Sequence, residues 1–287
     1  MFSCCIYIGK FKLKFIDFFM QKTTVQLKSV LAASWAIVCL SNLLSPSLVQ
    51  AQPSNNNSGE SIKIRFVLAN PEPPDRGTPH SNRGTGSRGN CLYKQNKPPL
   101  TSLVGSNNLE LTVSERPTFW VYVPYTQQEA PSGEFSLQDG ENDVYRTRFQ
   151  LPATPGIVSI SLPANQKPLE VGKTYRWYFE MNCPRTEAGD QVTAASVTGL
   201  VRRVSPSAAL NNALNSAKNP LQRIAAYAQH SIWYDTLTEL ARLRSNPAQN
   251  PGIEGIWAEV LSDRNIGLEN IAKESLAGNI TTSSRSE

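Results

Sequence analysis

The chain has 287 residues, 40% of them hydrophobic, which is enough to bury the core of one large domain or two small ones. Its formal net charge of +5 comes mainly from residues 1–51, which contain five lysines and one aspartate, whereas the rest of the chain has 23 basic and 22 acidic groups. This balance excludes the electrostatic footprint of a nucleic-acid-binding protein.

Residues 1–51 predict a secretory signal peptide with an upstream extension. Two lysines follow Met20, the run 30–44 is mostly apolar, and Val49-Gln50-Ala51 places small residues at a cleavage site. The apolar run is shorter than the ~20 residues that span a bilayer. We therefore expect translation to start at Met20 or Met1, cleavage after Ala51, no membrane span in the mature protein, and a location in the periplasm or outside the cell. An uncleaved anchor is the alternative.

Cleavage at this site would leave Cys91 and Cys183 as the two cysteines of the mature chain. In an oxidising compartment, two cysteines most simply form one disulfide. The closed ring of roughly 90 residues would contribute ~4–5 kcal/mol to stability. A buried thiol pair is the alternative. We expect no metal, because zinc would need His80 and His230 to join both cysteines without any C-x-x-C or H-x-x-H spacing.

Residues 62–204 have the pattern of a sheet built from short strands, after a disordered polar linker at 52–61. Apolar residues alternate with polar ones at 62–68, and similar alternation recurs up to residue 204. Asp139-Gly140 lies between two such runs, which indicates a hairpin. Seven or eight short strands with regular turns predict an antiparallel β-sandwich.

After Ser205 the hydrophobic period changes from two to 3.6. Asn219-Pro220 is a typical helix start, and the run from Ile253 to Leu261 fits an amphipathic helix. We predict a small helical unit over 205–276, packed on the sheet and dependent on it because its helices are short. Residues 277–287 are expected to be a disordered tail. The fold class is therefore α+β, a sandwich followed by C-terminal helices.

The loop 70–90, inside the sandwich region, is rich in glycine, proline and arginine. We expect it to form a binding site from Arg76, His80, Arg83 and Arg88, because arginine forks suit carboxylate, phosphate or sulfate groups and glycines allow close backbone approach. Its partner would be an envelope or secreted protein, or an anionic glycan. A flexible linker is the alternative.

The sequence motifs typical of catalysis and cofactor binding are either absent or lack the flanking strands and helices that they require. Residues 84–89 match G-x-G-x-x-G, but no strand leads into them and no helix follows, so we expect no cofactor. The sequence has no G-x-S-x-G motif, which carries the nucleophilic serine of many hydrolases. His230 is expected on a helix surface or at a helix cap. These observations favour a non-catalytic binding or assembly module. The alternatives are a hydrolytic enzyme that uses His80 with Asp75 or Ser81, and a structural accessory of another secreted protein.

Several sequence segments occur in the order typical of one family: RGTPHSNRGTGSRGNC, PTFWVYVPY, DVYRTRFQLPATPGIVSISLP, LEVGKTYRWYFEMNCPR and AAYAQHSIWYDTLTELARLR. They resemble an exported cyanobacterial family, the domain-of-unknown-function family DUF928, over residues 72–275. The resemblance implies a bacterial envelope or extracellular setting. It implies no catalytic residues, because the family has none established.

Overall fold

The computed structural model describes residues 63–69, 71, 83, 91–184, 187, 192–193 and 195–283. Strands dominate the first part of these residues and helices the second, so the predicted α+β class is confirmed. The strands are β1 (Cys91–Leu92), β2 (Thr101–Ser102), β3 (Leu109–Thr112), β4 (Thr118–Val123), β5 (Ser132–Asp139), β6 (Asn142–Gln150), β7 (Gly156–Ser161), β8 (Thr174–Asn182), β9 (Val192–Thr193), β10 (Ser196–Arg203), β11 (Leu276–Asn279) and β12 (Thr281–Ser283). The helices are α1 (Ala208–Ser216), α2 (Pro220–Gln229), α3 (Trp233–Arg244) and α4 (Ile253–Leu261), followed by a 3₁₀ turn at Glu269–Ile271.

Two larger sheets carry most of the strands. One has six strands in the order β12-β6-β5-β8-β10-β3, the other has four in the order β11-β7-β4-β2, and β1 pairs separately with β9. Most pairs are antiparallel, as predicted, and β5 and β6 form the expected hairpin, with Gly140 in the left-handed region at φ 62°. The prediction was wrong at two pairs, β3–β10 and β7–β11, which are parallel. Each joins strands far apart in sequence, a separation that parallel pairing requires.

Aromatic residues from both larger sheets pack into one core. The ring of Phe119 in β4 lies 5.0 Å from that of Phe135 in β5 and 5.6 Å from that of Trp177 in β8, measured between centroids. All three side chains are fully buried. Because aromatic side chains bury the largest apolar areas, these contacts are a principal source of the stability of the sheets.

Helix α3 joins the helical unit to both sheets through its first two residues. The Trp233 indole N–H donates to the Leu103 carbonyl at 2.8 Å. The Tyr234 hydroxyl accepts from the Trp177 indole at 2.8 Å and donates to the Leu200 carbonyl at 3.1 Å. Both aromatic side chains are buried, so their polar atoms need these partners from the sheets.

We therefore expect the isolated fragment 205–276 not to fold. Its helices are only nine to twelve residues long, a length that is marginal alone in water, and Trp233 and Tyr234 would lose their partners. Far-UV circular dichroism of the fragment should show mostly coil, while the full chain shows a cooperative melt. A cooperative helical melt of the fragment would contradict this prediction.

The segment 63–69 corrects the prediction of a first strand at 62–68. Ile64 and Phe66 are buried in alternation, as the sequence pattern requires, but they pack against the helical unit. The Phe66 ring lies 5.1 Å from that of Trp233, and the Val67 N–H donates to the Ala228 carbonyl at 3.0 Å. Because its neighbours are helices, the extended segment has no strand ladder to join.

The C-terminal residues correct the prediction of a disordered tail at 277–287. β11 pairs with β7 in the four-stranded sheet, and β12 pairs with β6 in the six-stranded sheet. Between them, Ile280 is buried, and its N–H donates to the Ser159 carbonyl at 2.9 Å. This C-terminal crossover, residues 276–283, is ordered by that apolar anchor and by two strand edges that accept it. Residues 284–287, like the predicted signal peptide and linker, lie outside the described residues.

Deleting residues 276–287 is expected to lower the free energy of unfolding by at least ~3 kcal/mol. Burial of Ile280 alone contributes about 1.5–3 kcal/mol, and the hydrogen bonds of β11 and β12 add to it. Urea unfolding followed by tryptophan fluorescence measures the loss. Deleting only 284–287 is the matched control, and we expect it to change stability by less than ~0.5 kcal/mol. Equal effects of the two deletions would contradict a structural role for the crossover.

Candidate binding groove

One face of the four-stranded sheet changes from apolar to polar along its strands. Successive cross-strand pairs on this face are Tyr122–Ile157, Trp120–Ser159 and Thr118–Ser161. The apolar pair is buried beneath the helical unit. Beyond that pair the helices cover the face less completely: Ser159 is still buried, Trp120 and Thr118 are partly exposed beside α3, and Ser161 is exposed.

The polar half of this face and α3 enclose a groove, which we call the α3 groove. It consists of adjoining cavities of about 680 and 200 Å³ that share Thr118 and Thr238 as lining residues. The larger one continues along α3 to Ser245 and is closed on its other side by β11. Its volume lies in the ~300–1,000 Å³ range of ligand sites.

Hydroxyl and amide groups form pairs along the α3 groove. The Thr118 and Ser161 hydroxyls are 2.8 Å apart, and the Trp120 indole N–H donates to the Thr238 hydroxyl at 3.2 Å. The buried Ser159 hydroxyl bonds to the Asn279 side-chain oxygen. Each of these hydroxyl groups has one donor and two acceptor sites, so an exposed one can form a further hydrogen bond with a ligand. The groove therefore combines a partly exposed indole with uncharged donors and acceptors.

The arginines of the groove are engaged within the protein. Arg242 donates two hydrogen bonds to Glu239, at 3.0 and 2.8 Å. Arg244 is buried, donates to Glu254 at 2.9 Å and to the Glu274 carbonyl at 2.9 Å, and lies over the Trp257 ring at 4.7 Å. The bonds of Arg244 hold the end of α3 beside α4 and the segment that leads into β11.

Asp235 lies at the narrow end of the groove. Its carboxylate accepts from the Thr112 hydroxyl at 2.7 Å and from the Val113 N–H at 3.2 Å, which fixes α3 to the end of β3. Burial raises the pKa of Asp235 to about 6, while the two hydrogen bonds oppose that rise. His230, five residues earlier, is the C-cap of α2, and its backbone N–H donates to the Ala226 carbonyl. The prediction of a capping histidine is confirmed.

The structure describes one residue of the predicted loop site. Arg83 forms an isolated antiparallel bridge with Thr101, and its exposed side chain lies beside the 3₁₀ turn, in a small cavity that shares no lining residue with the α3 groove. Arg76, His80 and Arg88 lie outside the described residues, as do Asp75 and Ser81 of the hydrolase alternative. The loop site stays a prediction.

The predicted disulfide is confirmed. Cys91 in β1 is bonded to Cys183 just after β8, with their Cα atoms 5.1 Å apart. Cys91 is fully buried. In the part of the chain that the structure describes, no cluster of three histidine, cysteine or acidic side chains could hold a metal ion.

Sequence reasoning missed the α3 groove because its residues look like the solvent side of ordinary strands. The available signal was the run Ser159-Ile160-Ser161 in β7 together with Thr118 and Trp120 in β4. Only the pairing register shows that they meet on one face, and only the tertiary fold shows that a helix borders them.

Comparison with known proteins identifies a family. The family model described as Domain of Unknown Function (DUF928) matches residues 83–276, which include the disulfide, the four helices and all strands from β1 to β10. No curated protein matches the chain. Among the described residues, no helix has the length and apolar character needed to cross a membrane.

Proposed function

Since the chain belongs to the DUF928 family, whose name assigns no activity, we propose from its own site that it is an exported, non-catalytic binding module that takes its ligand in the α3 groove. The observation that carries the proposal is the polar half of a sheet face left partly uncovered beside a helix. At the neighbouring pair Tyr122–Ile157 on that face, the helical unit covers the strands with apolar side chains. An open cavity of about 680 Å³ at this place is a ready binding site.

Two features support export. Residues 1–51 have the order of a signal peptide, and the Cys91–Cys183 disulfide joins the two cysteines that would remain after cleavage. The setting in this proposal is therefore the periplasm or the extracellular space. The two larger sheets are taken as the layers of a β-sandwich that holds the groove rigid, since both contribute to one aromatic core.

Trp120 provides a test that reports from the groove itself. The other described tryptophans, Trp177, Trp233 and Trp257, are fully buried, whereas Trp120 is partly exposed. Iodide quenching is measured on the full chain and on the Trp120→Phe variant, and the difference between them isolates the Trp120 signal. We expect soluble polysaccharide or protein released from the bacterial envelope to reduce that difference. If no envelope fraction protects Trp120, the groove is not the binding site.

The loop prediction is a separate part of the proposal. Replacing Arg76, Arg83 and Arg88 with lysine keeps the charge and removes the bidentate forks. We expect the variant to lose binding to an anionic glycan or an envelope protein in a pull-down, with the Trp120 signal unchanged. Full retention of every interaction would assign the loop a linker role.

A further inference from the structure

We infer that the α3 groove binds an uncharged glycan, an inference that rests on the binding function proposed above. Its charged lining is balanced, with Arg116, Arg242 and Arg244 against Asp235, Glu239 and Glu254. A groove with no excess of either sign offers no net attraction to a polyanion or a polycation.

The arginines of the groove are already held by partners inside the protein. Arg242 is paired with Glu239, and Arg244, whose side chain is only 6% exposed, is paired with Glu254. Arg116 donates from two nitrogens to the Gln166 carbonyl, at 3.2 and 2.9 Å. An anionic ligand that approaches Arg242, whose side chain is 60% exposed, would also meet the Glu239 carboxylate paired with it. Recognition in the groove therefore falls to its neutral groups.

Those neutral groups match the two properties of a sugar ring, its hydroxyl edge and its apolar C–H face. The exposed Ser161 and Asn279 and the partly exposed Thr118 supply donors and acceptors for hydroxyl groups. The buried Ser159 hydroxyl donates to the side-chain oxygen of Asn279, and Asn279 also carries two amide N–H donors.

Trp120 supplies the apolar surface. Its indole N–H donates to Thr238 on α3, which fixes the ring plane before a ligand arrives. A ring held in this way loses little side-chain freedom on binding, so more of the contact energy remains for affinity. The groove continues from Thr118 along α3 to Ser245, so it is open beyond the Trp120 ring.

Isothermal calorimetry on the full chain tests this inference with three probes: neutral cello- and chito-oligosaccharides, anionic oligogalacturonate, and an uncharged serine-rich peptide. We expect a neutral oligosaccharide to bind, with an affinity that changes less than twofold between 50 and 500 mM NaCl. Trp120→Ala should weaken binding at least tenfold. Ser161→Ala, which removes one exposed hydroxyl and leaves the indole, should weaken it about threefold to tenfold. Arg242→Gln should change it less than twofold.

The same probes in the Trp120 quenching assay separate the outcomes. Binding of only oligogalacturonate or only the peptide, with protection of Trp120, overturns the neutral-glycan inference and keeps the groove as the binding site. If an envelope fraction protects Trp120 but none of the three probes does, the neutral-glycan inference is likewise overturned and the groove is kept as the binding site. If nothing protects Trp120, the proposed binding function fails as well. Thermal melts of the Trp120→Ala and Ser161→Ala variants verify that they fold. If Trp120→Ala does not fold, the affinity of Ser161→Ala for the neutral oligosaccharide is the test.

Discussion

Replacing Glu110 with glutamine is expected to remove most of the dependence of stability on pH between about 5 and 8. Glu110 in β3 is fully buried, and no side chain in the described part of the chain pairs with its carboxyl oxygens. Burial raises its pKa from 4.5 to about 8, and the nearby Gly105 backbone lowers it to a lesser extent. The folded protein thus keeps this carboxyl protonated at neutral pH.

The sign of the effect follows from proton binding. Above pH 4.5 the unfolded chain releases the Glu110 proton, while the folded chain retains it until about pH 8. Stability therefore decreases as pH rises through this window and levels off above it, with a total change of roughly 5 kcal/mol. Asp235, whose pKa is raised to about 6, adds a smaller decrease in the same direction.

Urea unfolding at pH 5, 7 and 9 measures this dependence. Glu110→Gln is neutral at all three values, so its stability curve should be nearly flat, apart from the contribution of Asp235. The exposed Glu269 provides the matched control, and Glu269→Gln should keep the wild-type slope. Equal slopes for wild type and Glu110→Gln would show that this carboxyl titrates alike in both states.

Loss of the Cys91–Cys183 disulfide is expected to lower the free energy of unfolding by ~4–5 kcal/mol. The bond closes a loop with a sequence separation of 92 residues, and without it the unfolded chain gains the entropy of that open loop. Denaturant unfolding of the Cys91→Ala/Cys183→Ala variant measures the loss. Its m-value should also rise, because the unfolded state becomes less compact.

Reduction provides the control for this variant. Dithiothreitol should destabilise the wild type by a similar amount, because it breaks the bond and leaves both cysteine side chains in the chain. The double variant should not respond to it. If reductant left the free energy of unfolding of the wild type unchanged, the stabilising role of the disulfide would be contradicted.

The helices could be predicted from the sequence because their periodic apolar residues are also their buried ones. Ile253, Trp257 and Val260 follow the period of 3.6 and are all buried in α4. Ile64 and Phe66 show the limit of the same reasoning. Their period of two correctly predicts an extended, half-buried chain, but burial against helices gives the same pattern as burial in a sheet.

The C-terminal crossover and the α3 groove could not be predicted, for related reasons. β11 reads Leu-Ala-Gly-Asn, with no alternation and low strand propensity, and it forms because β7 offers an unpaired edge. The groove depends on which strands are neighbours and on where the helical cover ends. Both are tertiary properties, and in the sequence Thr118 and Ser161 are 43 positions apart.

The C-terminal crossover also determines when the protein can finish folding. A ribosome makes residues 276–283 after everything else in either sheet, yet these residues form the outermost strands beside β7 and β6. Until they emerge, both edges are bare and open to pairing with other chains. Both sheets are therefore completed only once these residues have been made, and the distant parallel pair β3–β10 slows their folding further.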